Sequence, residues 1–200
     1  MPTGVHLRDA RRQLFDAAER VLLRDGPSGL TSRAVTDEAG CAKGVLHRHF
    51  TDFDAFLAEL VLDRAAQLEA QAGALRESAG TGTVTGNLTG ALTTLFGPVP
   101  TAIIPLINFR DELRARLRQA RPGGGTAILA QVTTAVSAYL GDERDRGRIA
   151  ADADIDSLTL SLVGGGHLLF SDREPGPPST ATVTRFVASV LTGVVQRRSI

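Results

Sequence analysis

Two hundred residues can bury a substantial core, as one large domain or two small ones. Twenty-two basic residues balance 22 acidic ones, which excludes a chain that binds nucleic acid as a polyelectrolyte but leaves room for a local basic face. The single cysteine, Cys41, excludes an internal disulfide and any multi-cysteine metal site, and no apolar run reaches the ~20 residues of a membrane span. The opening segment MPTGVHLRDARRQ has no apolar stretch of the kind that directs secretion, so the expectation is a cytoplasmic protein with no membrane partner.

Apolar residues recur at three- and four-residue spacing and strand signals are weak, so the chain is expected to be all-α. Segment 11–24 places Leu14, Ala17, Ala18, Val21 and Leu22 on one face, with Arg12, Asp16, Glu19 and Arg20 mostly opposite, and Gly26-Pro27-Ser28-Gly29 ends it. Thr31 is a good N-cap for a short second helix running to about residue 39. Ala39-Gly40-Cys41 forms a tight turn, and a third helix covers 43–50. Asp52 caps a long helix whose stripe includes Ala55, Phe56, Leu60, Asp63 and Ala66 and which ends before Ser78-Ala79-Gly80. After the flexible break Gly80-Thr81-Gly82-Thr83, helices are expected near 84–97, 101–120, 125–146, 154–171 and 180–197. The breakers between them are Gly97-Pro98, Pro122 to Gly125, Gly147 and Glu174 to Pro178. That makes nine helices, with no internal repeat.

Thr31 to Phe50, TSRAVTDEAGCAKGVLHRHF, reads as two short helices about a turn that tolerates positive φ, the arrangement of a helix-turn-helix. Thr31 at a helix N-terminus can offer its hydroxyl and backbone N–H groups to a phosphate. Ala42, Lys43, Gly44 and Val45 open the third helix, where base edges are usually read; small residues permit close approach and Val45 can meet a thymine methyl. Lys43 and Arg48 supply charge, and His47 and His49 can donate hydrogen bonds to phosphate even when neutral. Cys41 reads as an ordinary small turn residue with no partner thiol.

The stretch RRQLFDAAERVLLRDGPSGLTSRAVTDEAGCAKGVLHRHFTDFDAFL, residues 11–57, resembles the N-terminal domain of TetR-family transcriptional regulators. The resemblance covers about a quarter of the chain. It rests on an Ala-rich first helix closed by glycine, a Thr opening helix two, Ala-Gly before helix three, Lys-Gly within it and His-Phe closing it. It implies an N-terminal three-helix DNA-binding domain, residues 1–51, and a helical ligand-binding and dimerisation domain, residues 52–200. It further implies that Thr31, Arg33, Lys43, His47 and His49 touch DNA, with Ser32 beside them. The partners it implies are a double-stranded DNA operator, a second copy of the chain and a small-molecule effector, with no cofactor. Three positions depart from the family's habit: Ala42 replaces a hydroxyl residue, His47 a tyrosine and Phe53 a frequent lysine. Phosphate contacts are then expected to fall on Arg8, Arg11, Arg12 and Arg48.

In the remainder, Leu158, Leu160, Leu162, Val163, Leu168, Leu169 and Phe170 nearly encircle helix 154–171, so that helix must be covered on all sides. Val183, Phe186, Val187, Val190, Leu191 and Val194 add an apolar face on the last helix, and the two helices can pair with their symmetry mates as a four-helix bundle. Gly164-Gly165-Gly166 weakens helix propensity and points to close backbone packing or a kink. Candidate effector-binding residues are Leu92, Phe96, Ile103, Ile104, Ile107, Phe109 and Tyr139, with Asn108 and His167 as polar anchors. Sparse aromatics disfavour a planar cation, so an apolar or amphipathic effector is expected.

Catalysis finds no support. Gly123-Gly124-Gly125 lacks the lysine of a phosphate loop and follows no strand, His47 and His49 point to different sides of a helix and form no metal pair, and Asp152 and Asp154 suit helix capping. The competing reading is a helical ligand-binding protein that has lost sequence-specific DNA binding.

Overall fold

The side-chain oxygen of Thr31 accepts the Ala34 N–H at 3.1 Å, and that of Asp52 accepts the Ala55 N–H at 2.8 Å. Two of the helix starts expected from composition are thus made by those caps. The computed structural model describes residues 4–120, 127–171 and 176–195, excepting the side chains of 4–9, 127 and 128. Ten helices follow in chain order among the described residues. They are α1 (Gly4–Gly29), α2 (Ser32–Glu38), α3 (Gly44–His49), α4 (Phe53–Glu77), α5 (Val84–Leu95), α6 (Pro98–Asn108), α7 (Asp111–Ala120), α8 (Ala127–Asp145), α9 (Ile155–Ser171) and α10 (Thr180–Val190). No strand occurs among them, only an isolated antiparallel bridge between Ile149 and Val195. The expected breaks at 122–125 and 174–175 lie outside the described residues.

Gly26 interrupts α1 with φ 72° and ψ −176°, a conformation that glycine adopts without a Cβ penalty. Leu14, Phe15, Ala17, Ala18, Val21 and Leu22 are buried, as the spacing required. The long helix α4 buries Phe56, Leu57, Leu60, Val61, Ala65 and Leu68, whereas Asp63 and Ala66, expected on that stripe, are exposed.

The single helix expected over 101–120 is two. Pro98 starts α6 because the first turn needs no donor there. At the far end the Arg110 N–H reaches the Ile107 carbonyl at 3.4 Å, a tightened three-residue step, while the Arg110 carbonyl accepts the Arg114 N–H at 3.0 Å and begins α7. The last helix is also shorter than expected. It stops at Val190; Gly193 turns the chain at φ 82°, and the Val194 carbonyl accepts the Ala150 N–H at 2.8 Å.

The chain falls into two compact units, one drawn from Met1–Arg64 with Ala102–Gly125, the other from Ala65–Thr101 with Thr126–Ile200. In the first, Phe15, Phe50, Phe53 and Phe56 form a continuous aromatic cluster with neighbouring centroids 5.0 to 6.1 Å apart. Arg64 joins α4 to α1 through ion pairs to Asp16 and Glu19.

In the second unit a buried carboxylate pins the α4–α5 connection. Glu143 is fully buried; it accepts the Gly80 N–H at 3.3 Å and lies 3.4 Å from Arg148 Nε. Arg148 donates to the Thr81 and Gly82 carbonyls at 3.2 and 2.7 Å. Asn87 donates to the carbonyls of Ser78 and Thr81 and to the Tyr139 hydroxyl at 3.0 to 3.2 Å. Burial, reinforced by Glu143, holds the Tyr139 hydroxyl well above the ordinary phenol range.

The glycine run in α9 is used for close approach. A Cβ on Gly165 would lie 2.6 Å from Phe186 of α10, and one on Gly166 3.0 Å from Phe96, the residue that follows α5. Gly165→Ala is therefore expected to destabilise the protein by about 1–3 kcal/mol through overpacking. Gly164→Ala, with nothing within 4 Å, should be neutral or slightly stabilising. Thermal unfolding of the two variants compares them; equal melting temperatures would remove the packing argument.

Candidate nucleic-acid interface

The turn between α2 and α3 is built from local hydrogen bonds. Gly40, at φ 64°, occupies the left-handed region, and the Cys41 N–H returns to the Thr36 carbonyl at 3.0 Å. Thr36 is itself buried, and its hydroxyl donates to the Ser32 and Arg33 carbonyls at 3.1 Å each. Glu38 ties α2 to α1 through Arg20 and Arg24, both at 2.7 Å; the bonds to Arg20 and then Arg24 hold its carboxyl below the usual range. Cys41 is half-buried and burial pushes its thiol up, which suits a turn residue better than a reactive one.

In α3 one residue, Leu46, is fully buried, and Phe50 closes the helix into the aromatic cluster. With those two as the inner face, Ala42, Lys43, Gly44, His47 and Arg48 are exposed and Val45 and His49 half-buried. Thr31 and Arg33 are exposed and Ser32 is half-buried at the start of α2. The Thr31 oxygen is used as the α2 cap but its O–H remains a donor, and Arg33 lies 3.5 Å from Asp37 one turn on.

Of the arginines expected to take over phosphate contacts, Arg12 and Arg48 are exposed. Arg11 instead lies over the Phe50 ring, 4.7 Å from its centroid, and pairs with Glu59. The Arg8 side chain lies outside the described residues. Phe53 stacks on Phe56 and carries the Arg110 guanidinium 5.4 Å above its ring, a contact that nothing local in the sequence announces.

The expected effector residues separate. Leu92, Phe96 and His167 come together in the second unit: His167 and Phe170 each lie 6.1 Å from Phe96, and Gly166 packs against Phe96 and Leu92. Tyr139 belongs to the same unit, but its hydroxyl is engaged by Asn87 and Glu143. Ile103 and Ile107 are buried and Ile104 half-buried in α6. Asn108 is exposed and Phe109 is 83% exposed at the α6–α7 break, so neither faces an interior as a pocket residue would.

A groove of about 360 Å³ between α4 and α5, lined by Gln71, Leu75, Ser78, Asn87, Ala91 and Leu95, contains none of the expected residues. Its sequence signal was present in the small residues Gly86, Gly90, Ala91 and Thr94, which share one face of α5. Asp154 caps α9 as expected, accepting from the Ser157 N–H at 3.0 Å; that residue's hydroxyl and N–H hold the carboxyl below its ordinary range.

Residues 14–60 match the family described as bacterial regulatory proteins, tetR family. The whole fold is similar to a TetR-family transcriptional regulator from Agrobacterium tumefaciens, at 13% identity and TM-score 0.73 over 94% of this chain and 99% of that one. The ketosteroid transcriptional regulator KstR2 of Mycobacterium tuberculosis shares 20% identity at TM-score 0.66, over 94% and 95% of the two chains. FadR from Bacillus subtilis, solved with stearoyl-CoA, shares 16% at TM-score 0.58 over 91% and 98%. A comparison with curated protein sequences gives no match. A match to the tetR-family model over residues 14–60, joined to a full-length similarity of fold, gives the chain the fold of TetR-family regulatory proteins.

Proposed function

We propose that the protein is a transcriptional repressor that binds a palindromic operator as a dimer in the cytoplasm and is released by a small-molecule effector. The observation that carries this reading is the burial pattern of α3 and its cap, with Leu46 buried while Lys43, Gly44, His47 and Arg48 around it are exposed. A helix held by one buried residue and otherwise open can enter a major groove. Residues 1–51 serve as the reading segment and 52–200 carry effector binding and dimerisation. Thr31, Ser32, Arg33 and His49 make backbone contacts while Ala42, Lys43, Gly44 and Val45 approach base edges.

Dimerisation is supported by α9, on which Leu160 and Leu168 remain 74% and 73% exposed with the exposed Gly164 midway between them. Two large apolar side chains one turn either side of a glycine form a ridge with a notch, which a two-fold axis makes self-complementary.

The effector is apolar or amphipathic. Leu92, Phe96 and Phe170 supply an apolar wall, and His167 Nδ1, Thr89 Oγ1 and Thr159 Oγ1 are buried without a hydrogen-bond partner. Such atoms cost stability unless something satisfies them. The similar folds named for a ketosteroid regulator and solved with stearoyl-CoA point to the same chemistry. Effector binding shifts the population of head positions along α4, the helix that continues directly from the reading segment.

Selection of bound genomic fragments by the purified protein tests the reading: enrichment of a palindrome whose binding weakens steeply with salt is expected, and no enrichment overturns it. Lys43→Ala is expected to weaken operator binding ~10-fold and reduce the salt slope by about 1 with helical content unchanged. Normal binding by that variant would move the reading surface elsewhere.

A further inference from the structure

We infer that Arg110 and Arg116, which lie outside the helix-turn-helix, are positioning residues for operator reading: they clamp residues 52–54, the chain that carries α3 into α4. The inference rests on the proposed DNA-binding role and uses contacts within one compact unit.

Arg110 Nε donates to Asp54 Oδ1 at 3.0 Å while its guanidinium covers the Phe53 ring at 5.4 Å. Arg116 donates to Asp52 Oδ2 at 2.9 Å and to Glu112 Oε1 at 3.0 Å. The other Asp52 oxygen caps α4 through the Ala55 N–H. Three consecutive residues are therefore held by two arginines that lie 56 and 64 positions further along the chain from their acceptors.

One half-exposed ion pair contributes little to stability because water competes and side-chain entropy is lost. This group is a network: two guanidinium planes, three carboxylates and one aromatic face, drawn from residues 52–54 and 110–116. A planar guanidinium fixes direction as well as distance, which an ammonium does not. Its location decides its use. Asp52 lies two residues after Phe50, the cap that follows α3, and Phe53 extends the aromatic cluster that contains Phe50. Little slack separates the clamp from the reading helix. In place of the lysine that resemblance leads one to expect at this position, Phe53 supplies the platform for Arg110.

A dimer gains affinity from its second head only to the extent that the head is held where the second half-site lies. The test uses the full-length protein and its genomic operator, with half-site spacing also altered by a few base pairs. Arg110→Ala with Arg116→Ala is expected to bind the native spacing ~10-fold more weakly, to lose much of the penalty for altered spacing, and to keep the salt slope. Arg110→Lys with Arg116→Lys keeps both charges but not the planar forks, so it is expected to recover only part of the affinity. Unchanged affinity and spacing penalty in the Ala variant would overturn the inference. So would a salt slope lower by about 1 per arginine, which would make these residues direct phosphate contacts.

A DNA-free measurement separates the clamp from the DNA-binding reading. Spin labels on Gln13→Cys and Gln119→Cys, both exposed, in a Cys41→Ala background should give a distance distribution that broadens in the Ala variant. An unaltered distribution overturns the clamp even where no operator is found, whereas failure to select any operator counts against the DNA-binding reading alone. Should the double Ala variant lose helical content, Asp54→Asn removes one pair while leaving both arginines, and the same broadening is expected.

Discussion

Glu143→Ala is expected to lower the unfolding free energy by about 3 kcal/mol, the lower end of what breaking a buried ion pair costs. Glu143 is fully buried, so its removal withdraws the carboxylate that lies beside the Arg148 Nε, along with the acceptor for the Gly80 N–H. The low end applies because Arg148 keeps the Thr81 and Gly82 carbonyls as acceptors. Glu143→Gln retains an acceptor and loses only the charge, so about half that loss is expected. Urea unfolding of both variants reads the difference. A loss below ~1 kcal/mol for the Ala variant would mean that the carboxylate does not hold the α4–α5 connection. Because the same network includes Tyr139 and Asn87, Tyr139→Phe should be strongly non-additive with Glu143→Ala.

Leu160→Arg with Leu168→Arg is expected to convert the protein to a monomer and to weaken operator binding by ~100-fold or more. Each substitution occurs twice across a two-fold interface, so four charges would face a surface that otherwise offers apolar side chains. Leu160 and Leu168 are already exposed in the single chain, so the fold itself should tolerate the change, with helical content unaltered. Light scattering gives the mass and titration of a palindromic fragment the affinity. A variant that stays dimeric would place the interface elsewhere. One that turns monomeric yet binds at full strength would show that a single head suffices.

Much of the architecture was legible because it depends on neighbours within four positions. Thr31 and Asp52 announce helix starts through side chains that reach three residues on. Gly26 and Gly40 stand where the backbone turns into the left-handed region, and the 3.6-residue period around Leu14 to Leu22 marks a buried face. The α6–α7 break was not legible. No glycine or proline stands at Phe109-Arg110, and Pro105 lies four residues earlier within a helix that continues past it. The stripe on α4 was misplaced at Asp63 and Ala66 because that helix has several apolar positions around its circumference, and only its neighbours select which ones are buried.

The candidate reading surface followed the same division. Lys43, His47 and Arg48 could be named from their chemistry at and along the third helix, but Lys43, Leu46, His47 and Phe50 follow one helical spacing, so only the packing singles out Leu46 and Phe50 as the buried pair. That Arg11 turns onto Phe50 and Glu59, and that Phe53 receives Arg110, could not be read in the same way. What the sequence determined by itself is the all-helical class and the caps and turns around α3, because these arise from short-range hydrogen bonds and helical periodicity. What only the tertiary structure decided is which charges meet: Arg110 with Asp54, Arg116 with Asp52, Glu143 with Gly80. Those pairings depend on how distant helices pack, and a charged side chain carries no mark of the partner it will find.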